Sequence, residues 1–348
     1  MKELEDAIRR LLEPVLPGTD FIIRTGPSGR NNTTRFIDTA QGTLVLRIYN
    51  THRDESKVRY EHAILLELAS QRISLQTPVP VLLPDGGTIL YLDGGETPGE
   101  ERPPQLAALF HYIEGRNPEL RAEAEFADFG RATGLISNTL ARIQTEAEPS
   151  YRPYYEIEHA HPGCPPELAL RFCQEPPQPF MPLQRQLERI GSQLDSLITR
   201  LPELAQLPHQ LVHGDLNVSN ILAGERGGIT AFIDFEFVTR DIRVMELAVC
   251  LSDLIRDEPD QEQRWTGIAA FLTGYRQFVS LEAREIEALP LLLRLRRLDV
   301  FVHFLGRYME KVDPPEVLAD MTARCAQQLE WLISHERELD ELCRYHLL

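Results

Sequence analysis

Apolar positions along this chain change their period part-way through. In the first hundred residues they alternate with polar ones over short runs, as half-buried strands require. Phe21 to Thr25 and Thr34 to Thr39 alternate on either side of a polar loop at residues 26–33, and a hairpin turn at Gln41-Gly42 leads into Thr43 to Tyr49. Val79 to Leu83 and Thr88 to Leu92 flank a turn at Asp85-Gly86-Gly87, and Ala107 to Ile113 gives a last apolar strand. One helix interrupts this set: Val58, Leu65 and Leu68 form a stripe between Glu55 and Leu68, and Glu61 falls on the same face. Beyond Glu114-Gly115-Arg116-Asn117-Pro118, a natural hinge, the spacing becomes helical: Phe126 to Ile143, Leu187 to Leu201, Arg243 to Ile255, Pro290 to Met309 and Val317 to Leu342. The proline-rich stretch from Pro162 to Pro182 predicts an irregular insertion. Strands first and helices afterwards give an α+β chain of two domains, residues 1–113 and 114–348.

One segment of the second domain breaks the helical pattern. Residues 213–237 read HGDLNVSNILAGERGGITAFIDFEF. Leu211-Val212, Ile221-Leu222 and Ile229 to Ile233 are short strands, Gly214 permits a sharp turn, and Gly224 to Gly228 makes another. Asp215, Asn220 and Asp234 then lie at neighbouring strand ends. Moving the γ-phosphoryl of a nucleotide needs a carboxylate near the attacking hydroxyl and hard oxygen ligands that hold Mg²⁺ against the phosphates. These residues are of that kind: Asp215 as base or orienting group, Asn220 as a ligand through its amide oxygen, Asp234 as a carboxylate between metal and phosphates. Asp and Asn also favour turns, so the competing reading is a structural strand-turn-strand segment. His213 reads equally as a hydrogen-bonded scaffold residue or a participant.

The run HGDxxxxN, then IDFE, then DIRVMELA resembles the aminoglycoside phosphotransferase and type II homoserine kinase group, within the protein-kinase-like fold. The likeness is specific from Leu211 to Leu251 and looser elsewhere. It implies a bilobal α+β molecule, an antiparallel-sheet lobe with one helix followed by a larger helical lobe. It further implies ATP and Mg²⁺ as cofactors, Asp215 as catalytic base, and Asn220 and Asp234 as metal ligands. Glu246 stands where the group usually has Asp, and is read as support behind the catalytic loop. The group's G-x-x-N pattern singles out Gly29 and Asn32 in the first loop as phosphate-binding. A basic residue on the third strand would contact phosphates and pair with Glu61; that position is Arg47 where the group has lysine. Lysines here are only Lys2, Lys57 and Lys311 among 36 basic residues, so a general use of arginine accounts for the exchange. Adenine would bond the backbone at His111 to Ile113.

Composition narrows the partners. The 348 residues are 43% hydrophobic, enough for two modest cores. A net charge of −17 argues against nucleic acid and anionic membrane surfaces; it is compatible with a cationic acceptor, although solubility alone accounts for it better. Five cysteines without CxxC or zinc spacing, and a charged amphipathic start instead of a signal sequence, predict reduced thiols and a cytoplasmic protein. Arg294, Arg296 and Arg297 interrupt the apolar run near Leu289, which removes a membrane span. The oligomeric state is open between monomer and homodimer.

Three function classes compete on this sequence. A kinase of a small-molecule hydroxyl fits best. A protein Ser/Thr kinase needs an activation segment, and between Asp234 and Asp241 there is chain for none; Glu236 also stands where that class has the glycine of its metal-binding motif. A silent nucleotide-binding protein fits poorly with retention of Asp215, Asn220 and Asp234. For the acceptor, homoserine leads over amino alcohols and amino sugars; Arg307 is a candidate carboxylate receptor, with a surface or ion-paired arginine as the favoured alternative.

Overall fold

The structure is a computed structural model, and it describes residues 2–26, 32–50, 54–92, 104–149, 151–255 and 261–348. The expected phosphate-loop residue Gly29 lies outside them. Two compact units divide the chain, one made of Met1–Arg116, Ile143–Ser150 and Thr230–Glu236, the other of Asn117–Arg142, Tyr151–Ile229 and Phe237–Leu348.

The first unit opens with helix α1 (Lys2–Leu12) and continues through β1 (Phe21–Thr25), β2 (Asn32–Thr39), β3 (Gly42–Tyr49), α2 (Glu55–Ser70), β4 (Leu90–Leu92) and β5 (Gln105–His111). The strands form one antiparallel sheet in the order β1-β2-β3-β5-β4. Gly42, at a φ of +134°, makes the β2–β3 reversal that a side chain would strain. Strand alternation sets what each face meets. Leu46 and Ile48 join Ile8 and Leu12 of α1, Ile37 and Leu109 in one core, whereas Arg47 and Tyr49 point the other way and bond Glu61 and His62 of α2. Asp54 caps α2 by accepting from the Ser56 amide.

Residues 79–83 do not form the expected strand. Pro80 makes a single bridge to Phe110, and Val81 N donates to Leu109 O, because the proline has no N–H for a ladder. The strand expected to reach Ile113 ends at His111.

The second unit holds α3 (Glu123–Leu140), α4 (Ile157–Ala160), α5 (Pro166–Gln174), a 3₁₀ turn at Gln178–Leu183, α6 (Gln184–Ile198), α7 (Leu201–Leu204), β6 (His209–Val212), a 3₁₀ turn at Val218–Asn220 and β7 (Ile221–Ala223). Strand β8 (Ile229–Phe232) carries the chain onward, and β9 (Thr239–Ile242) pairs antiparallel with β6. Then follow α8 (Val244–Leu254), α9 (Gln261–Tyr275), α10 (Ala283–Met309), α11 (Pro315–Ser334) and α12 (Glu336–Leu347).

Residues 162–182, expected to be irregular, are largely helical. Pro166 occupies the first turn of α5, where a missing N–H costs nothing and the fixed φ suits a helix. Helix α10 starts seven residues before Pro290, and the helical region expected over 317–342 consists of two helices that meet at His335. Among the described residues no helix is long and apolar enough to cross a membrane, and all five cysteines are buried free thiols.

Candidate active site

The expected site residues fall in both units. In the first, Gln76 stitches the segment bearing Asp234 to the unit: Gln76 N donates to Thr230 O at 2.8 Å and Phe232 N to Gln76 O at 3.0 Å. Asp234 follows directly, with φ +67°, a left-handed backbone that few non-glycine residues adopt and that tends to mark functional positions. Arg47 Nη1 donates to Glu61 Oε1 at 2.9 Å, and Arg47 Nη2 lies 3.5 Å from Asp234 Oδ1, a buried oxygen with no hydrogen-bond partner. The guanidinium also sits over the Phe110 ring, 5.2 Å from its centroid. Burial pushes the Glu61 carboxyl up to about 6 in spite of Arg47 beside it, while the carboxylates hold the Arg47 proton against the same burial. Asn32 is buried and donates through Nδ2 to Glu236 Oε2 at 2.9 Å. His111 ends β5 exposed, and Ile113 lies half-buried beyond it.

In the second unit, strand β6 delivers His213 to a turn at Gly214, whose φ is +82°. A side chain there is barred twice, since a Cβ would stand 2.6 Å from Phe237 O. Asp215 follows in a loop held from several sides. Asn220 Nδ2 donates to Asp215 O at 2.9 Å and Asp215 Oδ2 at 3.1 Å, and among the described residues the Asn220 amide oxygen makes no side-chain hydrogen bond. Asp253 of α8 accepts from Val218 N at 2.9 Å, and Asn117 Nδ2 donates to Ser219 O and Ile221 O. Glu246, fully buried in the first turn of α8, accepts from His213 N, and burial lifts its carboxyl to about 7 against the His213 and Gly214 amides. The longer side chain at this position therefore braces the loop backbone.

Sequence reasoning passed over the most direct neighbour of Asp215. Arg296 of α10 donates through Nη2 to Asp215 Oδ1, and through Nη1 to the Tyr154 hydroxyl at 2.6 Å. Tyr154 donates in turn to Gly214 O at 2.6 Å, and its backbone N–H is held by Asp241 Oδ2 at 2.7 Å. One turn further along α10, Asp299 Oδ1 bonds His161 Nε2 at 2.6 Å. Three arginines breaking an apolar run were read as a bar to membrane insertion; an Arg/Asp pair at i and i+3 among apolar neighbours was the signal for a functional face. Arg307 is not available as a receptor, because both arms of its guanidinium pair with Asp313 at 2.6 and 3.1 Å.

Asp234 in the first unit and Asn220 in the second each offer an oxygen of the kind a hard divalent cation takes. Magnesium takes one or two carboxylate or amide oxygens and fills its octahedron with water and phosphate. The Oδ1 of Asp234, which faces Arg47 without a hydrogen bond, and the amide oxygen of Asn220 are each of that type.

Residues 22–280 match the phosphotransferase enzyme family, to which this chain belongs. The chain is 27% identical over 290 residues to a homoserine kinase of Acidiphilium cryptum, covering 83% of this chain and 82% of that one. It is 27% identical over 329 residues to a homoserine kinase of Brucella ovis, covering 90% of each. Among solved structures it resembles a microcompartment-associated aminopropanol kinase, with TM-score 0.71, 17% identity and 97% of this chain and 98% of that one covered. It also resembles an amicoumacin kinase solved with AMP-PNP, Ca²⁺ and its antibiotic, with TM-score 0.66, 19% identity and coverage of 94% and 95%. The fold is protein-kinase-like, and the protein is an ATP-dependent kinase of a small-molecule hydroxyl.

Proposed function

We propose that the protein phosphorylates a small hydroxylated amino acid or amino alcohol, homoserine foremost, with magnesium ATP as donor, in the cytoplasm and as a monomer or homodimer. The observation that carries the assignment is the Asp215 carboxylate fixed by Asn220, in a loop braced by Glu246 and Asp253. Homoserine kinases among the relatives support the acceptor.

In this reading residues 1–113 form the nucleotide lobe and residues 114–348 the catalytic lobe. Asp215 accepts or orients the proton of the acceptor hydroxyl. Asn220 and Asp234 hold the metal, which when bound neutralises charge on the phosphates. Arg47, positioned by Glu61, reaches a phosphate oxygen; Gly29 and Asn32 shape the loop whose amides cover the phosphates. The backbone at His111 and Ile113 takes the adenine. Because positioning and charge do most of the work in phosphoryl transfer, no further side-chain chemistry is required.

ADP release from magnesium ATP, screened over homoserine, amino alcohols and amino sugars, tests the reading. Turnover of one such compound is expected, and Asp215→Asn lowers kcat by about 10²- to 10⁴-fold. Undiminished turnover in that variant removes Asp215 from its role.

A further inference from the structure

Arg296 raises a problem for a general base. A guanidinium bonded to a carboxylate favours the ionised form and so weakens it as a proton acceptor. Yet the pair is built with care. Arg296 is tied to Tyr154, which also lies under its guanidinium with 5.6 Å between the arginine Cζ and the ring centroid, and Tyr154 is itself bound to Gly214 O and Asp241. Among the described residues Arg296 Nε makes no hydrogen bond, and the side chain keeps 17% of its surface exposed beside an Asp215 side chain that is 22% exposed. Unspent donors therefore remain at a partly open position next to the base.

The neighbouring charges come in balanced pairs. Asp215 faces Arg296, and Asp299, whose Oδ2 is 4.0 Å from Arg296 Nη1, is bonded to His161. Arg296 and Asp299 are one turn apart on α10 and share a face, so one helix presents a cation and an anion side by side. An acceptor with both an ammonium and a carboxylate complements such a face. An acceptor with an ammonium alone leaves the guanidinium on the base.

We infer that Arg296, anchored by Tyr154, is the receptor for the carboxylate of a zwitterionic acceptor, and that it selects hydroxylated α-amino acids over amino alcohols. This rests on the kinase reading above. The acceptor carboxylate takes the guanidinium in a forked pair and draws it from Asp215, whose carboxylate then faces the hydroxyl. Binding of the correct acceptor thereby frees the base, while acceptors without a carboxylate leave it engaged.

Homoserine and 3-aminopropan-1-ol differ only by the carboxylate, so their kcat/KM values on the full chain isolate its effect. The wild-type enzyme is expected to prefer homoserine by about 10²-fold or more, as a site built to bond a polar group rejects the analogue that lacks it. In Arg296→Gln the preference falls to within a few-fold, mainly through a higher KM for homoserine, and Arg296→Lys retains part of it. Comparable wild-type turnover of both compounds, or an equal loss for both in the glutamine variant, overturns the inference. The wild-type comparison does so without depending on how a variant folds. Turnover confined to acceptors without a carboxylate sinks this inference alone; absence of ADP with every hydroxylated compound sinks the kinase reading and this with it.

Discussion

Arg47 shows how much one side chain can change the electrostatics of a buried corner. Its fork reaches Glu61 with one nitrogen and approaches Asp234 with the other, while its plane lies on Phe110. An ammonium is a point charge on a flexible stem and would satisfy these three contacts less well, which gives the arginine a structural reason beyond general composition. The two carboxylates are unequal partners: Glu61 is sealed, and the Asp234 side chain keeps 37% of its surface exposed. Arg47→Ala strands both of them, whereas Glu61→Ala leaves the guanidinium with Asp234. Urea unfolding should therefore show the larger loss for Arg47→Ala, about 3 to 5 kcal/mol as for a buried pair broken on one side, and a smaller one for Glu61→Ala. The reverse order would mean that Asp234 contributes nothing to holding Arg47.

At the scale of elements, α3 and α9 approach one another to backbone contact in the helical unit. A Cβ on Gly130 would lie 1.9 Å from Phe271 O, and one on Gly274 would lie 2.0 Å from Ala127 O. The backbones touch where each helix offers hydrogen in place of a side chain, and backbone cannot move aside as a flexible side chain does. Gly130→Ala or Gly274→Ala is expected to destabilise by about 3 kcal/mol or more, at or above the usual range for overpacking, despite alanine's better helix propensity. Thermal melts of either variant check this; an unchanged Tm would show that the helices separate at little cost. The same elements show what the sequence could reveal. Sheet strands were legible because α1 and α2 cover opposite faces and impose a strict alternation on Leu46, Arg47, Ile48 and Tyr49. The Asp215 loop was legible because its chemistry is packed into one short run. Arg296 was not, since it lies 81 positions from Asp215 and resembles its neighbour Arg294, which pairs with Glu336; only the packing of α10 tells which arginine turns toward the loop. Helix α5 was missed because its prolines, read as breakers, sit where a helix begins.

For the whole molecule, buried carboxylates decide how stability responds to pH. Burial raises Glu61 to about 6, with Arg47 opposing; it raises Asp241 to about 7 against the Tyr154 and Ile242 amides, and Glu246 to about 7 against those of His213 and Gly214. Each has a folded value above its unfolded one, so its contribution is complete below about pH 4 and is lost as pH rises through 6 to 7. His161, raised by Asp299 in spite of burial, acts in the same direction. His62 and His303 act in the other: burial lowers them to about 3 and about 4, so their contribution is present above the unfolded value and is lost as pH falls. Above pH 6.5 these two are neutral in the folded state, but the unfolded chain still sheds their last protons there, which offsets part of the change in the first set. Unfolding free energy from urea titrations should then fall between pH 6.5 and pH 8.5 by about 1 kcal/mol, at about 1.4 kcal/mol per unit of pKa shift and after the opposing histidines. The net charge of −17 pushes the same way, since deprotonation adds to self-repulsion, and salt should reduce that part while leaving the buried part. Glu246→Gln, which keeps a carbonyl oxygen for the His213 amide but cannot ionise, should remove more than half of the drop. A stability that rises over this interval would show that the buried carboxylates are ionised throughout, and Glu246 would then brace the loop as a charge.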